Sequence, residues 1–138
     1  MKNIVYLLVI TSILTLSTWA VSAQTAPLAF TLKSNLASFE QRQTIVTSTV
    51  KRNGNLLTWE QTNQGVSTTT VFHINNTIEN WDPQTSTGNI GLAMSLNGAP
   101  VDFNLQSNAQ GITAAIIMNP NTSDEDIYIL NINQVLYQ

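Results

Sequence analysis

The sequence predicts an all-β fold, an antiparallel β-sandwich of about seven or eight strands built from hairpins. A small closed β-barrel is the alternative, because the same strands could curl into a single sheet. Three observations lead to this prediction. After residue 24, apolar and polar side chains alternate with period two, Asn-Gly pairs interrupt the alternation, and the nearest approach to an amphipathic helix is the short stretch 35–43.

The first 23 residues are interpreted as a cleaved signal peptide. Lys2 supplies a positive charge, residues 4–16 form an apolar run, and Val21-Ser22-Ala23 fits a small-residue cleavage site. The apolar run is shorter than the roughly 20 residues that a membrane-spanning helix needs. We therefore expect a secreted or cell-envelope protein (periplasmic, cell-surface or extracellular) without a stable membrane anchor, in which residues 24–138 form a single all-β domain.

Hairpins are predicted between residues 46 and 74, after an N-terminal strand over 27–33. A turn at Asn53-Gly54 would place Val50 opposite Leu57, and a weaker turn at Asn63-Gln64 would follow. These registers gather apolar side chains on one face, namely Val46, Val50, Leu57, Trp59, Phe72 and Ile74. One apolar face per hairpin is what an antiparallel sheet with one buried side requires.

A second Asn-Gly hairpin is predicted at Asn97-Gly98. The cross-strand pairs on its apolar face are Met94–Val101, Leu92–Phe103 and Ile90–Leu105. Residues 75–89, which precede it, are predicted to be the longest irregular segment. Residues 111–118 and 126–137 are apolar on both faces, so we expect these two strands to be central in the sheet.

The composition of residues 24–138 excludes several classes of partner. Asn, Gln, Thr and Ser supply 48 of these 115 residues, and eight carboxylates against four Lys or Arg give a net charge of −4. Nucleic acids and anionic membrane surfaces attract proteins of the opposite sign. The chain has no cysteine, which excludes a disulfide framework.

No catalytic or metal site is predicted. A catalytic serine needs an adjacent general base, and His73 is the single histidine of the chain. The predicted register places His73 on the exposed face, so we do not expect it to serve as that base. No cofactor motif accompanies it, and we predict a non-enzymatic protein. The loop 119–127 carries Asp124, Glu125 and Asp126, but it lacks the glycine and the distant glutamate of the EF-hand calcium loop. We interpret it as a solvated acidic turn.

Two groups of residues are candidates for ligand contact. Trp81, with Asn80 and Asp82 beside it, could stack on a sugar while the polar groups bind hydroxyls. The predicted register also lines Thr49, Thr58 and Thr69 in one exposed row across three strands. A glycan is therefore a possible partner.

These features predict a secreted or periplasmic non-enzymatic β protein that acts through protein–protein contacts or self-association. A subunit or assembly factor of an extracellular fibre, adhesin or biofilm matrix is the preferred role. Binding would use strand addition at exposed sheet edges, which places Leu28, Phe30 and Leu32 of the first strand and Tyr137 of the last strand at the contact. A small ligand-binding sandwich or barrel for a carbohydrate or apolar ligand is one alternative. A small outer-membrane β-barrel is the other.

Overall fold

The computed structural model describes residues 26–138, which form nine β-strands in one antiparallel sheet. The strands are β1 (Phe30–Phe39), β2 (Arg42–Asn53), β3 (Leu56–Asn63), β4 (Val66–Asp82), β5 (Thr87–Leu96), β6 (Ala99–Asn108), β7 (Gly111–Met118), β8 (Asp126–Ile132) and β9 (Gln134–Tyr137). The predicted signal peptide, residues 1–23, lies outside the described residues.

The sheet closes on itself because β1 is hydrogen-bonded on both sides. One side of β1 pairs with β2 along its whole length. On the other side, Leu36–Phe39 pairs with β8 and Phe30–Lys33 pairs with β9. β8 and β9 are two halves of one last strand, interrupted at Asn133, whose N–H donates to the carbonyl of Lys33 at 2.9 Å. The result is an eight-stranded closed barrel. The predicted antiparallel hairpin fold is confirmed. Its architecture is the closed barrel given as the alternative rather than the preferred sandwich, because β1 pairs with both β2 and the last strand.

The turn at Asn97-Gly98 has the predicted register. Both residues have positive φ, 51° and 85°, as a type I′ turn requires, and Met94 lies opposite Val101. The two earlier turns fall one residue later than predicted. Gly54-Asn55 and Gln64-Gly65 make these turns, so Val50 lies opposite Trp59 rather than Leu57. Each cross-strand partner in these two hairpins is therefore two residues from the predicted one. Because side chains alternate with period two, a shift of two residues leaves them on their predicted faces.

The barrel interior is packed with apolar side chains from all nine strands, and those from the short β9 are partly buried. Fully buried members include Phe30, Leu32, Val50, Leu57, Phe72, Phe103, Ile116 and Leu130. The rings of Phe30 and Phe103 approach across the interior, with centroids 6.3 Å apart. Burial of this apolar surface is the main stabilising contribution to the fold.

Residues 35–43, where no convincing helix is expected from the sequence, continue β1 into the first hairpin. One segment differs from the prediction. Residues 75–89 are mostly strand, because β4 runs to Asp82 and β5 begins at Thr87. A β-bulge between Ile74 and Asn76 shifts the alternation of β4 by one residue. That shift interrupts the period-two pattern and makes a continuous strand resemble an irregular segment.

Candidate functional site

The outer surface of β7 and β8 carries an apolar patch. Ala115 lies opposite Ile129, and Ile117 lies opposite Ile127, so the four side chains form a square on the outside of the barrel. Ile127 and Ile129 are 41% and 42% exposed. We call these four residues the isoleucine face. The sequence shows that both strands are apolar on two faces. That pattern predicted central strands with both faces buried, whereas one of the two faces is on the outer surface.

Carboxylates surround the isoleucine face. A cavity of 340 Å³ lies beside this face, and its lining includes three carboxylates. The lining residues are Ser38, Glu40, Gln41, Glu125, Asp126, Ile127 and Ile129. Asp102 on β6 lies directly opposite Ile117. The pKa of Tyr128 is raised above its ordinary value by burial, and also by the negative charges of Asp126 and Glu40. This side of the barrel is therefore both apolar and acidic.

A row of polar side chains borders the isoleucine face on its other side. Asn89, Gln106, Thr113 and Asn131 lie opposite one another across β5, β6, β7 and β8. A surface cavity of 310 Å³ lies along this row and is also lined by Asn104, Ala115 and Ile129. The isoleucine face is thus bounded by amides on one side and by carboxylates on the other.

One end of the barrel carries the β2–β3, β4–β5 and β6–β7 turns, at residues 54–55, 83–86 and 109–110, together with the end of β9. Here the structure brings together two residues predicted for different roles. The indole N–H of Trp81 donates to the Tyr137 hydroxyl oxygen at 2.8 Å, and that oxygen lies 2.8 Å from Oγ of Ser86. Trp81 packs against the core, so it ties the end of β4 to β9. Trp81 is half-buried, and its contact with a sugar stays a prediction.

A buried ion pair lies near the same end. Arg52 Nη1 is 3.1 Å from Oε2 of Glu79, and Arg52 Nη2 donates to the Thr77 hydroxyl at 3.3 Å. The Arg52 residue is 1% exposed, whereas the Glu79 side chain is 27% exposed. Both side chains line a 480 Å³ notch that also includes Asn55 and Ile74. Sequence reasoning missed this pair, although the alternation places Arg52 on the same face as Val50.

Asn80 and Asp82 are exposed at the end of β4. Asp82 shapes the following turn, because its Oδ1 accepts a hydrogen bond from the backbone N–H of Gln84 at 2.8 Å. That hydrogen bond, together with one from the Thr85 hydroxyl, lowers the pKa of Asp82 below its ordinary value. The carboxylate therefore has a local structural role in the turn.

Replacing Asp82 by Asn should remove a pH-dependent part of the stability. A carboxyl whose folded pKa is depressed stabilises the protein above its unfolded pKa, and this contribution is lost as the pH falls through the folded pKa. We expect the urea midpoint of wild type to exceed that of Asp82→Asn at about pH 6, and we expect the difference to shrink as the pH falls below the ordinary pKa of an Asp carboxyl. A difference that stays constant over this range would contradict the assignment.

The threonine row differs from the predicted one. Thr49 and Thr69 both lie opposite Glu60, whereas Thr58 lies one row away between Lys51 and Val71. The one-residue displacement of both turns explains this correction. His73 is exposed on the outer surface opposite Leu56, on the predicted face.

The N-terminal strand is not a sheet edge. Phe30 and Leu32 are fully buried inside the barrel, and Leu28 packs against the same core just before β1 begins. Because β1 has hydrogen-bonded partners on both sides, the predicted strand addition at these residues is corrected. Tyr137 lies on β9, which pairs with β1.

The acidic loop between β7 and β8 uses its polar groups internally. Oε2 of Glu125 accepts a hydrogen bond from the backbone N–H of Asn121 at 2.7 Å, and the Thr122 hydroxyl donates to the carbonyl of Asn119 at 2.7 Å. Within residues 26–138 no group of three or more His, Cys, Asp or Glu side chains is arranged to hold a metal ion.

Comparisons of the chain with protein-family models, with curated proteins and with solved structures found no match. In the part of the chain that the structure describes, no helix is long and apolar enough to cross a membrane. The geometry of the surface is therefore the basis for any functional conclusion.

Proposed function

We propose that this protein is an exported, non-enzymatic β-barrel that acts through protein–protein contacts made by the isoleucine face. Its preferred role is a subunit or assembly factor of an extracellular fibre, adhesin or biofilm matrix. The observation that supports this proposal is the apolar square of Ala115, Ile117, Ile127 and Ile129 on the outside of a barrel whose core is already filled. Contiguous exposed apolar patches with polar rims are typical of interaction sites.

The proposed mode of contact is through side chains of a sheet face rather than through strand addition. Closure of the barrel pairs both sides of β1, so the first strand offers no backbone donors or acceptors to a partner. A flat apolar face with a polar border has the layout of a protein interface, which has an apolar centre and a polar rim.

The proposal is tested by site-specific cross-linking in the cells that produce the protein. A photo-reactive amino acid replaces Ile129 in the full chain, and in a second strain it replaces Ile78. Ile78 is a matched control, because it is a 67% exposed isoleucine on the outer surface of β4, outside the isoleucine face. We expect discrete covalent protein adducts at position 129, several-fold more abundant than at position 78.

Absence of adducts at position 129, or equal yields at both positions, would contradict the proposed function. The mass of the exported protein is measured in the same material. A chain beginning at Gln24 is the expected product of signal-peptide cleavage.

A further inference from the structure

The charges of the barrel are unevenly distributed. Five of its eight carboxylates lie around the isoleucine face or in the adjoining loop, namely Glu40, Asp102, Asp124, Glu125 and Asp126. Of the four Lys and Arg in residues 26–138, Arg52 is paired inside the barrel and the other three lie on β1 and β2. Arg42 begins β2 directly after the turn that carries Glu40, whereas Lys33 and Lys51 are exposed on the other halves of these two strands.

A second exposed patch surrounds Lys51. Lys51, Thr58 and Val71 form one outward row across β2, β3 and β4, and Leu56 and His73 form the next. We call these five residues the lysine face. Leu56 and Val71 are 40% and 43% exposed, close to the exposure of the two isoleucines on the opposite face. Glu60 is the nearest carboxylate and lies in the adjacent row.

The two faces are on opposite sides of the barrel. In the closed order, β3 is four strands away from β7 in either direction. Each face offers two exposed aliphatic side chains. Carboxylates border the isoleucine face, whereas Lys51 lies within the lysine face and Glu60 lies in the row beside it. This combination is complementary in both apolar content and charge.

We infer that the isoleucine face of one copy binds the lysine face of a second copy. This inference rests on the proposed function and names the partner. Because the two patches differ and lie on opposite sides, each bound pair keeps one free face of each kind, and the contact can repeat into an open head-to-tail chain. Pairing of two isoleucine faces would instead bring their carboxylates together, which like-charge repulsion disfavours.

The inference is tested by blocking each face separately and then mixing the variants. Ile129→Lys places a cation against the lysine face, and Lys51→Glu reverses the charge of that face. Both positions are exposed, so matching thermal melts should show that both variants fold. Size is followed by light scattering over a range of concentrations, using protein exported from cells that express the full chain.

Wild type should grow into chains as its concentration rises, and each single variant should need about tenfold more protein to do so. An equimolar mixture should assemble at lower concentration than either variant alone, because the intact isoleucine face of Lys51→Glu fits the intact lysine face of Ile129→Lys. Added salt should weaken wild-type assembly, since charges beyond about 8 Å are screened at physiological ionic strength.

Three outcomes would overturn the inference. Wild type that stays monomeric at every concentration excludes a second copy as the partner. Lys51→Glu that assembles like wild type excludes the lysine face. A mixture that assembles no more readily than either variant alone, while both variants are folded, excludes the head-to-tail arrangement. None of these outcomes removes adducts at position 129, so failure of the inference is distinguishable from failure of the proposed function.

Discussion

Glu79→Gln should lower the free energy of unfolding by about 3 kcal/mol, because it leaves a buried cation without its counter-ion. The guanidinium of Arg52 is enclosed by the barrel, and the Glu79 carboxylate is its 3.1 Å partner. Breaking a buried ion pair on one side typically costs about 3–5 kcal/mol. We expect the lower part of that range because Glu79 is partly exposed.

Urea unfolding of the exported protein measures this effect. Glu60→Gln is the matched control, since it removes an exposed carboxylate from the outer surface and should change stability by less than about 0.5 kcal/mol. Adding Arg52→Met to Glu79→Gln removes the unpaired charge and should recover part of the loss. Equal stability of Glu79→Gln and Glu60→Gln would show that the pair does not stabilise the barrel.

Gly88→Ala should be about as damaging, with an expected loss of about 4 kcal/mol from backbone strain and steric overlap together. Gly88 lies opposite Trp81 at the start of β5, where its φ is 120°. A Cβ atom here would lie 2.0 Å from the carbonyl oxygen of Asn80, which is backbone and cannot rotate away. The substitution would also disturb the hydrogen bond from the Gly88 N–H to Oγ of Ser107 at 2.9 Å.

Gly111→Ala separates the two causes of that loss. Gly111 has a similar φ of 131°, but a Cβ atom there would have open space around it. We therefore expect Gly111→Ala to cost only the backbone term, about 1–3 kcal/mol, and to be clearly more stable than Gly88→Ala. Equal unfolding midpoints for the two variants would contradict the role of the contact with Asn80.

Local turn chemistry explains why much of the fold was predictable. At Asn97-Gly98 both turn residues adopt positive φ, and this local preference determines the register of the whole β5–β6 hairpin. The prediction near Asn53-Gly54 was displaced by one residue, because either Asn53-Gly54 or Gly54-Asn55 can occupy a two-residue turn. The alternation still assigned the correct face to Val50 and Trp59.

The candidate sites were less predictable, because each depends on residues that are distant in sequence. Trp81 was interpreted as an exposed ligand contact, but the bulge near Ile74 turns it inward toward Tyr137, 56 residues away. The pairing of Arg52 with Glu79 depends on the same bulge. A β-bulge changes the face of every residue after it, and nothing in the period-two pattern indicated where this one lies.

The sequence by itself determined the antiparallel hairpins and, up to the bulge near Ile74, which side chains face the core, because alternation and turn residues act over a few neighbouring positions. Only the tertiary structure decided that β1 pairs with both β2 and the last strand, since that closure joins strands that are about 100 residues apart in sequence. Closure also decided which face of the apolar strands β7 and β8 is buried and which is exposed. A barrel has a single interior, so only one face of each strand can be buried in it. Ile127 and Ile129 lie on the other face of β8 and point outward, where they are available to a partner.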